Sequence, residues 1–130
     1  MRFYAEVVGL ERIERPESMG GVGVWFRAGS QELHVSEYEQ FVPAAKAHPA
    51  FELRAAELDA LARRLGAAGA EVRWDERLPG ARRFYSFDPA GNRLNAVVPP
   101  WETNQLSPLC VNTSVLPSPL KSPNSSCPSR

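Results

Sequence analysis

Residues 82–98, RRFYSFDPAGNRLNAVV, constrain the fold of this chain most. Two runs rich in aromatic and branched residues flank Asp88-Pro89-Ala90-Gly91-Asn92. Proline fixes φ early in a turn and glycine accepts a positive φ. The spacing therefore predicts a β-hairpin. A weaker echo lies upstream: Gly23-Val24-Trp25-Phe26-Arg27, then Ala28-Gly29-Ser30, then Gln31-Glu32-Leu33-His34-Val35. Leu33-His34-Val35 falls where Leu94-Asn95-Ala96 falls in the second copy. A fold built twice from one unit places its ligand between the copies, so the echo bears on function.

The chain has 130 residues, enough for one domain or a small domain with a tail. Its composition is 43 % hydrophobic and 23 % charged, with no net charge. These are ordinary values for a globular protein, and they argue for neither nucleic acid nor an anionic membrane as partner. No apolar run approaches the roughly 20 residues needed to span a bilayer. No basic region followed by an apolar core opens the chain, so the expected location is cytoplasmic. Composition changes at Pro99: residues 99–130 hold seven of the twelve prolines, both cysteines, and only Glu102, Lys121 and Arg130 as charges. Such a Pro/Ser-rich segment buries too little apolar surface to offset its ordering entropy and reads as a disordered tail. Within it, Leu109-Cys110-Val111-Asn112-Thr113-Ser114-Val115-Leu116 has local β-propensity and suits pairing with an exposed sheet edge. Cys110 and Cys127 lack the spacing of a zinc or redox motif.

Residues 1–98 divide into two halves. The first reads as a short helix over 2–8 stopped by Gly9, a strand over 10–14, a loop over 15–21, and strands at 22–27 and 31–36. Residues 38–47 read as a linker. The second half opens with a strand over 47–54. Residues 56–68 are the clearest helix: Leu58, Leu61, Ala62 and Leu65 share one face, and Gly69 follows as a stop. A strand at 71–74, a loop at 75–80 and the hairpin complete it. The second half is thus β-α-β-β-β. The first is α-β-β-β, with no opening strand. Strand alternation turns Leu33 and Val35, Phe51 and Leu53, and Leu94, Ala96 and Val98 toward the helix side. Glu32, His34 and Ser36, then His48, Ala50 and Glu52, then Arg93, Asn95 and Val97 face a cleft on the other side.

RFYAEVVGLERIE, GVWFRAGSQELHVSE, KAHPAFEL and LPGARRFYSFDPAGNRL, in this order and spacing, resemble the vicinal oxygen chelate superfamily. That superfamily includes glyoxalase I, bleomycin and fosfomycin resistance proteins, and extradiol dioxygenases. The resemblance covers residues 2–98. It implies an α+β fold of two pseudo-repeated β-α-β-β-β modules that form a cup-shaped sheet around a ligand cleft, here with the first module lacking its opening strand. It also implies a small oxygenated ligand and a homodimer. Metal-dependent members draw His and Glu ligands from the first and last strands of each module. Those ligands hold Mn, Fe, Ni or Zn with positions left open for two substrate oxygens.

Carried over residue by residue, the ligand set is incomplete. His34 stands on the last strand of the first module. His48 stands on the first strand of the second, in a pattern like the family's His-x-Ala-Phe. Asn95 stands where a Glu is expected, and no residue of this chain matches the strand that carries the remaining His. Two imidazoles without a matching carboxylate predict weak metal binding. Asn95, Trp25, Tyr85 and Glu52 are the candidate substrate contacts, with Arg83 also facing the cleft.

Three functional readings follow. The first is metal-assisted lyase, isomerase, transferase or dioxygenase chemistry on a small oxygenated molecule. The second is a metal-free protein that sequesters a small ligand, as bleomycin-resistance members do. The third is a truncated product without activity. The absent strand predicts an open sheet edge in the first module, and hence self-association, unless the tail fills the gap.

Overall fold

The computed structural model of the protein describes residues 2–103. The expected tail therefore lies, apart from its first few residues, outside the described residues. A short, wide helical segment, α1 (Phe3–Val8), is followed by β1 (Glu11–Ile13), a single 3-10 turn at Glu17–Met19, β2 (Gly23–Ala28) and β3 (Gln31–Ser36). Next come β4 (Ala50–Glu52), α2 (Ala55–Ala67), β5 (Arg73–Trp74), β6 (Arg82–Phe87), β7 (Arg93–Val98) and a helical turn, α3 (Pro100–Thr103). Among the described residues no helix is long and apolar enough to cross a membrane.

Two sheets result, with strand orders β1-β2-β3 and β4-β7-β6-β5. In the second, β4 runs parallel to β7 and the other pairs are antiparallel. This is one complete β-α-β-β-β module, and among the described residues the first sheet with α1 is the same unit without the strand corresponding to β4. Register confirms the repeat. Trp25 pairs with His34 as Tyr85 pairs with Asn95, so each module sets an aromatic ring opposite a polar side chain on the same face.

The expected α+β architecture is therefore present, with adjusted boundaries. The opening strand of the second module, expected over 47–54, shrinks to Ala50–Glu52. Pro49 has no N–H to give a ladder, and its carbonyl instead accepts from Asn95 N at 3.0 Å. The strand expected at 71–74 keeps only Arg73 and Trp74.

α2 buries Leu58, Leu61 and Leu65 on the stripe its 3.6-residue period dictates. Its first turn is fixed by Glu57, whose carboxylate accepts from Arg54 N at 3.0 Å. The left-handed Gly69 (φ 78) lies just past its end. These leucines pack on Phe84, Leu94, Ala96 and Val98, and the core continues through Phe26, Tyr4 and Val8 into the first module. Arg64 of α2 donates to the carbonyls of Val7 and Val8, at 3.0 and 3.2 Å, and so binds the end of α1 where those groups lack helical partners.

A second tie joins the modules. The Tyr4 hydroxyl donates to Asp88 Oδ2 at 2.8 Å in a buried setting. The same carboxylate accepts from Ala90 N, Asn92 N and Asn92 Nδ2, and so shapes the β6–β7 turn. Burial, then the hydrogen bond and the charge of Asp88, hold the Tyr4 hydroxyl well above its ordinary pKa.

Candidate functional site

The sheet faces turned away from the core carry the candidate residues. β7 alternates as expected: Leu94, Ala96 and Val98 lie inside, and Arg93, Asn95 and Val97 lie on the opposite face. Across the ladder, Tyr85 stands opposite Asn95 and Arg83 opposite Val97. Ala50 and Glu52 of β4 flank Asn95 and Val97 from the other side.

His48, just before β4, bends over this face. Its ring meets Tyr85 edge-on, with centroids 5.5 Å apart and planes at 81°. Its Nδ1 lies 2.5 Å from Lys46 O. Arg93 Nη2 donates to the same carbonyl at 2.5 Å and lies 3.0 Å from His48 Nδ1. The Arg93 guanidinium also lies 5.2 Å from the centre of the Tyr85 ring. No carboxylate pairs with it among the described residues, so a carbonyl, an imidazole and a ring face are all that meet its charge. Asn95 is 6 % exposed. Its Oδ1, like Arg93 Nε, is buried without a hydrogen-bond partner among the described residues. An orphaned acceptor and an orphaned donor thus lie two residues apart on one strand face.

Arg83 is positioned differently. It donates to Asp75 Oδ2 at 2.9 Å, and both side chains are largely buried. Arg77 closes on the same carboxylate at 2.9 Å. Hydrogen bonding by the Arg77 side chain and backbone, with the charges of Arg77 and Arg83, holds the Asp75 carboxyl well below its ordinary range. Arg83 is therefore internally compensated, and Arg93 is not.

In the first sheet, His34 stacks on Trp25, with centroids 3.8 Å apart and planes at 7°. Its Nε2 lies 2.9 Å from Glu32 Oε2. The structure thus brings together His48, Tyr85 and Asn95, and separately Trp25 and His34. Glu52 shares the sheet face but stands beside Val97, two register positions along from Asn95. Sequence reasoning placed Arg93 in the cleft without giving it a role. Its signal was available, since it lies two residues from Asn95 on the same strand face.

A cleft of about 480 Å³ opens between the modules. Phe3, Tyr4, Val35 and Phe41 wall it from one side, and the Asp88–Ala90 turn closes the other. None of the candidate contacts chosen from the sequence lines it.

The resemblance implies a divalent metal, and the residues present do not fit one. Among the described residues no group of three or more His, Cys, Asp or Glu converges. The groups that meet His48 are the Lys46 carbonyl, the Tyr85 ring and the guanidinium of Arg93. One imidazole beside an uncompensated guanidinium supplies too few ligands, and too much positive charge, for a divalent ion.

A family model described as a glyoxalase-like domain matches residues 1–97. A protein assigned to the glyoxalase family from Bacillus anthracis is 39 % identical; the match covers 74 % of this chain and 78 % of that one, with a TM-score of 0.67. A lactoylglutathione lyase from Agrobacterium tumefaciens is 26 % identical over 76 % of this chain and 82 % of its own, with a TM-score of 0.57. The fosfomycin resistance protein FosX from Listeria monocytogenes, solved with Mn(II) and a dihydroxypropylphosphonic acid, shares the fold at 18 % identity, covering 75 % of this chain and 78 % of its own, with a TM-score of 0.63. No curated protein matches the chain. The repeated module, the face it presents and these likenesses lead to one conclusion: this chain belongs to the glyoxalase-like domain family of the vicinal oxygen chelate superfamily.

Proposed function

We propose that this protein binds a small oxygenated anion on the outer face of its second sheet, without a metal. The observation that carries the reading is Arg93. Its half-buried guanidinium lacks a carboxylate partner among the described residues and lies 3.0 Å from His48 Nδ1. A partly desolvated guanidinium is a ready partner for carboxylate or phosphonate oxygens, which its planar fork meets two at a time. The His48 and Tyr85 rings wall the position, and Asn95 stands opposite Tyr85 on the same strand face. Sequestration is the function this arrangement supports best.

The test is thermal melting of the full chain in EDTA with fosfomycin, phosphonoacetate and the glutathione–methylglyoxal adduct. A bound ligand raises the melting temperature in proportion to its occupancy of the native state. At least one compound is expected to do so for the wild type and to fail with Arg93→Gln. Stabilisation that needs added Mn(II), or that survives Arg93→Gln, would overturn the proposal.

A second reading, lyase chemistry, is supported by the name of the Agrobacterium relative. It rests on His48 as the one imidazole on this face, placed to move a proton between substrate carbons. Turnover of the same adduct in EDTA, abolished by His48→Gln, distinguishes it from sequestration.

A further inference from the structure

The cleft between the modules carries a negative charge that no cation among the described residues meets. Three carboxylates line it, those of Glu37, Glu39 and Asp88, and no lysine, arginine or histidine does. Glu37 and Glu39 are exposed, and neither side chain forms an ion pair among the described residues. The arginines that border these residues are engaged elsewhere. Arg2 pairs with Glu6 at 2.9 Å, and Arg15, close to Ser36, donates to the Gly20 carbonyl.

Asp88 differs from the two glutamates in being only 8 % exposed. Its Oδ1 accepts from Ala90 N and Asn92 N, and its Oδ2 from the Tyr4 hydroxyl and Asn92 Nδ2, at 2.8 to 2.9 Å. All four donors are neutral, so the carboxylate is hydrogen-bonded without being paired to a charge. A carboxylate offers about four lone-pair sites, and here all are taken. Asp88 therefore attracts a cation through its field, which is stronger in a partly dry wall than in water. It has no acceptor left for an ammonium N–H.

Much of the remaining lining is aromatic. Phe3, Tyr4, Tyr38 and Phe41 all border the cleft. Tyr38 is 71 % and Phe41 43 % exposed, so their faces are open to a ligand. The negative face of such a ring attracts a cation, and clustered rings are the usual means of holding a quaternary ammonium group. The volume, about 480 Å³, suits a small organic molecule.

We propose that this cleft binds an organic cation with a methylated ammonium head. Uncompensated carboxylates supply the attraction. Open rings and a saturated Asp88 then favour a charge spread over methyl groups above one carried on N–H bonds. A bare divalent ion, which requires several oxygen ligands, finds free oxygens only on the exposed Glu37 and Glu39. The residues of the Arg93 face do not line this cleft, so the site is independent of the anion position proposed above.

Chemical-shift titration of the full, isotope-labelled chain with choline tests this. Its neutral isostere 3,3-dimethylbutan-1-ol keeps the shape without the charge, and ethanolamine keeps the charge on N–H bonds. Choline is expected to shift the amides of residues 36–41 and 90–92, with a dissociation constant at least about fivefold below that of either control. Tyr38→Ala, at an exposed position, should weaken choline about fivefold. Glu37→Gln combined with Glu39→Gln should weaken it by a similar factor and reduce its dependence on salt. An equal response to choline and 3,3-dimethylbutan-1-ol would overturn the proposal, as would a preference for ethanolamine. So would shifts confined to other residues, or none with choline up to about 50 mM, as when another part of the chain fills the cleft. Shifts of the same amides on dilution without ligand would make a second copy the occupant, and would also overturn it.

Discussion

Replacing Tyr4 by Phe isolates the hydroxyl that joins the two modules. The ring stays, with its edge-on contact to Phe3 at 5.3 Å and its tilted contact to Phe26 at 5.8 Å. Only the 2.8 Å bond to Asp88 is lost. A hydrogen bond to a charged group contributes roughly 1.5–3 kcal/mol. Asp88 keeps its three donors from Ala90 and Asn92, so the lower half of that range applies. The expected cost at pH 7 is about 2 kcal/mol, or about 8–16 °C in a domain of this size.

The sign of the pH dependence follows from Tyr4 being held above its ordinary pKa. Its contribution is fully present below about pH 10, where the unfolded chain also keeps the proton. Above that pH the unfolded state releases the proton and the native state retains it. Wild-type stability then falls by about 1.4 kcal/mol per pH unit through this group, and Tyr4→Phe does not follow. The two curves should converge by about pH 11.5, where the slope has consumed the offset. Urea unfolding at intervals from pH 7 to 11.5 provides the comparison. A constant offset across that range, or none at pH 7, would refute the assigned tie.

Leu58→Ala, at a position with 0 % exposure, should cost about 2–5 kcal/mol in urea unfolding, and Leu33→Ala, half-covered on β3, clearly less. Gly91→Ala should destabilise by about 1–2 kcal/mol, because φ is 88° there and the new Cβ would crowd Pro43. The carboxyl of Asp75 is held low, so its contribution is present above the ordinary carboxylate pKa and is lost as pH falls below it. Stability followed by tryptophan fluorescence should therefore fall as pH drops below about 4 in the wild type, and depend less on pH in Asp75→Asn.

The hairpin at 82–98 and the helix near 56–68 were legible because local signals suffice for them. Asp88, Pro89 and Gly91 specify a turn, and Leu58, Leu61 and Leu65 specify a helical stripe, without knowledge of anything distant. The facing of His34, Asn95 and Glu52 followed from alternation alone. The sequence did not disclose what the polar groups would meet. The compensation of Arg83 by Asp75 crosses eight residues and a strand pair. Arg93 was a residue among several on its face until the fold brought Lys46 O and His48 to it across more than forty positions. The shortened opening strand of the second module failed for a local reason: β-propensity around Phe51 outweighed, on paper, the missing donor of Pro49.

The parallel pairing of β4 with β7 has a consequence for the order in which the protein is made. Ala50 must wait for Asn95, and Tyr4 must wait for Asp88. The β1-β2-β3 meander and the β6–β7 hairpin close between near neighbours and form early, by the short loops they require. These long closures form only when β7 has left the ribosome. Until then β4 and the apolar stripe of α2 are without their sheet. The nascent chain should be most susceptible to protease and to aggregation when roughly its first ninety residues have emerged, and should gain resistance abruptly over the next ten.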